Sequence, residues 1–262
     1  MNPRLASVAL LAVDTHSALA NGHSDVGARR GASVGERAPR EARMPGTRDT
    51  ETVNRLLTRH GTTYAEEARI TLRDTPSPLY RLLVLANLLS TRIKARIAVA
   101  AADALSHDGM TGPRRMNEAS WQARVDALGK GHYRRYDERT TTMLGTGARL
   151  LLDEYRGDLR RLRHRADGST LEARRLLTAF PGIGPLGADI FLREVQSVWP
   201  EFCPFVDRKA LDGAARLGLP RSPARLAHLA GDDPSAVAHL AAGLVRAGLD
   251  KTLVEDVRAV AA

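Results

Sequence analysis

The chain has one cysteine, Cys203, among 262 residues. A disulfide framework, a cysteine-rich structural zinc site and an iron–sulfur cluster held by four thiolates are therefore excluded. Aromatic residues are scarce, at 4%, so any base or ring held by this protein meets very few stacking side chains. No apolar run approaches the ~20 residues a membrane-spanning helix needs. The common catalytic and nucleotide signatures are missing too. There is no Gly-x-x-x-x-Gly-Lys loop, no Gly-x-Ser-x-Gly elbow, and no pair of histidines four apart. Neither a membrane partner nor a metal site is expected. No stretch alternates apolar and polar residues over the length of a strand, and no internal repeat is visible.

What is present is globular composition, 43% hydrophobic and 26% charged, which argues against wholesale disorder. The length suits one large domain or two small ones. Lys and Arg number 39 against 30 Asp and Glu, a net charge of +9. A polyanion, most often nucleic acid, is one explanation. A proteome rich in Arg and Ala is the other, and charge alone leaves both open.

Residues 1–43 differ from the rest. After an apolar stretch, Leu5–Val13, they run through Gly, Ala, Ser and Arg without helical or strand period, which predicts a disordered, solvated tail. Leu5–Val13 followed by Ala18-Leu19-Ala20 also imitates a secretory signal, and Met44 is an alternative start. From Asp49 onward the pattern is helical. Helices are predicted over Asp49–His60, from Ser77-Pro78 through Leu89, and over Arg92–Leu105, Glu118–Leu128 and Tyr136–Tyr155. Three short ones close the chain at Pro223–Ala230, Pro234–Ala247 and Lys251–Val260. The helix through Leu79, Leu82, Leu83, Leu85 and Leu88 is apolar nearly all round and should be the most buried. The expected class is all-α.

The segment richest in chemistry is 169–207. Ser169 and Glu172 have capping-box spacing and open a helix running to Phe180. Pro181-Gly182-Ile183-Gly184 stops it, and Pro185 opens another through Val195. Two helices joined by a Gly-Ile-Gly turn can hold a phosphate on backbone N–H groups and a positive helix end, without reading sequence. A plain helical hairpin with a glycine cap has the same spelling.

Leu177-Thr178-Ala179-Phe180-Pro181-Gly182-Ile183-Gly184, then Ala188 and Val206-Asp207, resemble in order and spacing the helix-hairpin-helix (HhH-GPD) DNA glycosylases of the endonuclease III type. The resemblance extends more weakly from about Pro76 to Ala247. It implies a two-lobed fold, with a hairpin lobe of about 106–220 and a second lobe from 44–105 and 221–262. It also implies a monomeric base-excision enzyme acting on double-stranded DNA in the cytoplasm, at the nucleoid. Asp207 would then be the catalytic carboxylate that stabilises positive charge on the sugar or activates water. Independently, Asp207 is well placed to cap a helix starting near Arg208.

Two departures qualify the resemblance. Bifunctional relatives carry a lysine nucleophile where this chain has Leu186, which predicts base removal without strand cleavage. Lys209 is a weaker substitute amine. The cluster found in many relatives is excluded, although a monovalent cation in the hairpin is compatible with the family. A non-catalytic DNA-binding relative and a lyase using another amine are the alternatives. Gly182, Ile183, Gly184 and Leu186 are the expected hairpin contacts to DNA, joined by Lys130, His132 and Arg134 in a basic loop and by Arg92. Between 130 and 175 there are 12 Lys and Arg against 7 Asp and Glu. Arg160–Arg165 reads more as a solvated face than as a DNA contact. Trp121, Tyr133 and Tyr136, with Tyr80, are the candidates for a base pocket or wedge.

Overall fold

Serine, aspartate and proline set where most helices begin. A computed structural model describes residues 46–259, and the expected tail at 1–43 lies outside them. The first half holds α1 (Thr47–His60), α2 (Tyr64–Glu67), α3 (Pro76–Leu89), α4 (Ala95–His107), α5 (Pro113–Glu118), α6 (Trp121–Lys130) and α7 (Asp137–Tyr155). The second holds α8 (Arg160–Ala166), α9 (Thr170–Leu177), α10 (Pro185–Val195), α11 (Arg208–Leu217), α12 (Pro223–Leu229), α13 (Pro234–Leu249) and α14 (Lys251–Arg258). A 3-10 turn, Pro200–Phe202, precedes α11. No strand occurs among the described residues, so the class is all-α as expected. Ser120, Ser169, Asp207, Ser222, Asp233 and Asp250 each accept a first-turn N–H with their side chains, satisfying donors that a helix cannot satisfy itself.

Several boundaries differ from the sequence reading. α3 starts at Thr75-Pro76 rather than Ser77-Pro78. Pro76 already fits the first helical position, and Ser77 Oγ instead donates to Thr111 O at 2.8 Å. The segment 92–94 stays outside α4. The helix expected over Glu118–Leu128 is two helices, because Ala119 is extended and Ser120 caps a new start. α9 stops at Leu177, not Phe180.

α3 is buried through Leu79, Tyr80 and Leu82–Leu88, and packs against α4 and α10. α4 in turn lies on α6, and α7 on α5 and α6. α1, α11 and α14 all rest on α13, and α10 touches α3, α9 and α13. The α11–α13 crossing is backbone to backbone. A β-carbon at Gly213 would overlap the Leu244 carbonyl, and one at Gly248 would lie 2.7 Å from Lys209 O. Trp199 is buried between Phe191 and Phe202, its indole N–H donating to Asp74 Oδ1 at 2.8 Å.

Candidate nucleic-acid interface

The turn between α9 and α10 is fixed by what its residues can and cannot do. Gly182 has φ +83°, and a β-carbon there would overlap the Asn87 side-chain amide. Only glycine meets both demands without strain. Asn87, buried in α3, donates Nδ2 to Pro181 O at 2.9 Å. Ser90 Oγ, at the end of α3, lies 3.2 Å from Gly182 O. Ile183 is buried between two exposed glycines, plugging the turn into the core. Gly184 is the N-cap of α10 and has no side chain to cap it, and Pro185 at the first position has no N–H. The N–H groups of Leu186 and Gly187 therefore stand at the positive end of the helix without an intrahelical partner. Leu186 itself is 53% exposed. Asn87 Nδ2 engages the Pro181 carbonyl, while the single proton of the Ser90 hydroxyl goes by the shorter distance to Asn87 O at 2.7 Å.

Beside the hairpin, α3 leads into Thr91 and then Arg92, Lys94 and Arg96, all exposed. Thr91 Oγ1 lies 3.0 Å from Tyr133 Oη, which lies 3.3 Å from Thr140 Oγ1. That hydroxyl ties the 91–96 segment to the loop carrying His132, Arg134 and Arg135, also exposed. None of these six side chains makes an ion pair among the described residues. The hairpin, the end of α3 and the 132–135 loop are thus linked through Ser90, Thr91 and Tyr133.

Four other basic groups, Lys130, Arg160, Arg163 and Arg165, are answered locally. Lys130 ends α6 and holds both carboxylate oxygens of Asp108, at 2.8 and 2.7 Å. Arg160 pairs with Asp158, Arg163 with Asp74 and Glu201, and Arg165 with Glu154. Tyr133 is fully buried and Tyr80 nearly so, which makes both core residues rather than walls of an open pocket. Tyr136 is half-buried under Arg135, whose guanidinium sits 5.2 Å from the ring centre. Trp121 is 42% exposed and belongs to a separate cleft against α7.

Asp207 caps α11, with Oδ1 accepting from Ala210 N at 2.9 Å. Its Oδ2 accepts from Arg193 Nη1, and the two side chains are 4% and 3% exposed. Arg193 lies two turns into α10, with Nε 4.0 Å from Glu194 Oε1. Glu194 accepts from the first amides of α2, Tyr64 N at 3.4 Å and Ala65 N at 3.0 Å. Burial opposes the Arg193 charge, but the carboxylates of Asp207 and Glu194 hold its pKa above the ordinary arginine value. Burial pushes the Glu194 carboxyl up against the pull of Arg193 and those amides. Asp189, one turn before Arg193, is raised chiefly by burial and further by Asp207. Asp207 is thus a buried, doubly bonded carboxylate in an ionic cluster.

The sequence reading missed Lys94, Arg96, Arg193 and Asp189. The alternation of basic residues at 92, 94 and 96 is a signal for the first two. Nothing in the local spelling marks Arg193. Among the described residues, no group of three or more His, Cys, Asp or Glu is placed to hold a metal ion. No helix among them is long and apolar enough to cross a membrane. Comparison with known protein families, curated proteins and solved structures finds no match to this chain.

Proposed function

We propose that this chain binds double-stranded DNA without reading its sequence. The hairpin takes phosphates of one strand on the N–H groups of Leu186 and Gly187, and Arg92, Lys94, Arg96, His132, Arg134 and Arg135 supply the surrounding charge. The observation that carries this reading is the uncapped start of α10, exposed at Gly184, Pro185 and Leu186, beside the exposed Arg92, Lys94, Arg96, Arg134 and Arg135, which have no ion-pair partner among the described residues, and beside His132. Backbone donors recognise phosphate and leave base edges unread. The test is Gly184→Asp. The position has open space for a side chain, and an aspartate at an N-cap accepts the same amides a phosphate would use. Folding stability should hold or rise slightly, while affinity for a labelled duplex should fall at least about tenfold through loss of a charge-assisted contact. Unchanged affinity would sink the reading.

A second reading is favoured by one observation. The carboxylate of Asp207 is held at a helix start downstream of the hairpin, as in a glycosylase that hydrolyses the N-glycosidic bond of a damaged or mismatched base. Leu186 in place of a lysine would make it monofunctional. In this reading the Arg193 pair must open before a sugar reaches Asp207, because the carboxylate is 4% exposed. Duplexes carrying uracil, alkylated purines, oxidised bases or a mismatched adenine test it. Breaks appearing only after hot alkali, and abolished in Asp207→Asn, would support the enzyme. Intact strands with binding retained leave the binding reading alone, and a borohydride-trapped adduct would point to a lyase.

A further inference from the structure

The cleft between the end of α5, the start of α6 and the middle of α7 encloses about 220 Å³ and is lined by Asn117, Trp121, Arg124, Thr142, Gly145, Thr146 and Arg149. Two arginines, an amide, two hydroxyls and an indole face it, and no carboxylate does. Arg124 is 9% exposed. Its Nη1 donates to Met116 O at 2.8 Å and Ala119 O at 2.9 Å, the free carbonyls at the end of α5. Its Nε is buried without a partner among the described residues. Gly145 on α7 makes room for the guanidinium, since a β-carbon there would lie 3.0 Å from Nη2. Among the described residues the Arg124 guanidinium has no carboxylate partner, and the partial negative charge of the carbonyls ending α5 answers it in part. Arg149 is exposed across the cleft and has no ion pair among the described residues. At the rim, Trp121 is 42% exposed and its Nε1–H points to Thr142 Oγ1 at 3.4 Å, so part of the indole is open to a stacking partner.

We propose that this cleft binds a single nucleotide, with the phosphate between Arg124 and Arg149 and the base stacked on Trp121. Phosphate is the anion that a guanidinium pair recognises best, and an indole face accepts any base. None of these residues belongs to the hairpin interface, so the inference stands or falls separately from the DNA reading.

The chain carries its own reporter. Of its two tryptophans, Trp199 is fully buried and Trp121 lies on the cleft. Titration of the full chain with deoxyadenosine 5′-monophosphate should quench Trp121 emission saturably. Binding should be at least about tenfold tighter than for inorganic phosphate or deoxyadenosine alone, because each supplies only half of the contact. Arg149→Gln removes an exposed charge and should weaken binding about tenfold with the thermal midpoint unchanged. Trp121→Phe should abolish the optical signal while calorimetry still detects binding. A short oligonucleotide with a 5′-terminal phosphate distinguishes the sources. If it competes at equal concentration, the site takes a nucleotide carried on a strand; if only the mononucleotide binds, it takes a free one. No quenching at millimolar nucleotide, or equal affinity for inorganic phosphate, overturns the proposal.

Discussion

The hairpin turn and the Asp207 cluster lie at opposite ends of one helix, α10, and use opposite means. The turn offers backbone N–H groups at an exposed surface, with no charged side chain among Pro181, Gly182, Ile183 and Gly184. The cluster gathers Arg193, Glu194 and Asp207, with side chains at most 4% exposed. A backbone grip depends on shape, so a misplaced β-carbon damages it. A buried ionic cluster depends on charge balance, so removing one member leaves another uncompensated. The two regions should therefore fail under different substitutions.

The largest effect should come from breaking the buried pair. Arg193→Met leaves the Asp207 and Glu194 carboxylates without their cation and should destabilise the fold by about 3–5 kcal/mol, read as a shifted urea midpoint. Arg193→Met with Asp207→Asn should recover part of that loss, because the double variant removes both charges of the pair. A loss below about 1 kcal/mol in the single variant would mean that water already screens the cluster.

Next comes a pair of glycine substitutions in the turn. Gly182→Ala meets positive φ and the Asn87 amide together, and should cost about 1–3 kcal/mol. Gly184→Ala has open space and negative φ, and should leave stability within about 0.5 kcal/mol. Equal losses at the two positions would refute the account of the turn. A smaller effect is expected at the exposed cations. Lys94→Gln and Arg96→Gln should each reduce the salt dependence of duplex binding by about one unit of log–log slope, with no change in thermal midpoint. Lys130→Gln, whose ammonium is held by Asp108, should change the slope less.

The smallest effect is a pH dependence at His239, at the edge of the second region, where the Glu194 carboxylate also acts on it. His239 donates Nδ1–H to Ser235 O at 2.8 Å and faces Glu66 Oε1 through Nε2 at 3.0 Å, an arrangement that uses both ring protons. Burial opposes the imidazolium, but these bonds raise its pKa above 6.5. A raised folded-state pKa adds stability that is fully present below about 6.5 and is lost as pH climbs through the higher folded value. For Glu66, burial pulls upward but the bonds to His239 and Thr63 lower its pKa below 4.5. Its contribution is therefore present above that value and lost in stronger acid. His239→Gln should flatten the alkaline side of the stability profile, by no more than about 1 kcal/mol for a half-exposed pair.

The same contrast explains what the sequence makes legible. The turn is readable because glycine and proline act locally, and Pro181-Gly182-Ile183-Gly184-Pro185 states a helix stop and start within five residues. The aspartate's capping role is readable for the same reason. Arg193 is not, because an arginine in mid-helix is spelled like any solvated one. It becomes an internal cation only when the 196–206 segment returns Asp207 to it. Likewise, Lys130 and Arg134 look alike in sequence. Asp108, 22 residues before Lys130, is what separates them. Tyr133 and Tyr80 are ambiguous because an aromatic ring suits a pocket and a core equally.

The crossing of α11 and α13 bears on Asp207 in a mechanical sense. At Gly213 and Gly248 the two helices meet through main-chain atoms, with no layer of side chains between them to compress or repack. Lys209, whose carbonyl oxygen would lie 2.7 Å from a β-carbon at Gly248, is two residues from Asp207. The start of α11 that carries the carboxylate is therefore held against α13 by main-chain contact, and a side chain added at Gly248 would push it, and Asp207 with it, away from Arg193.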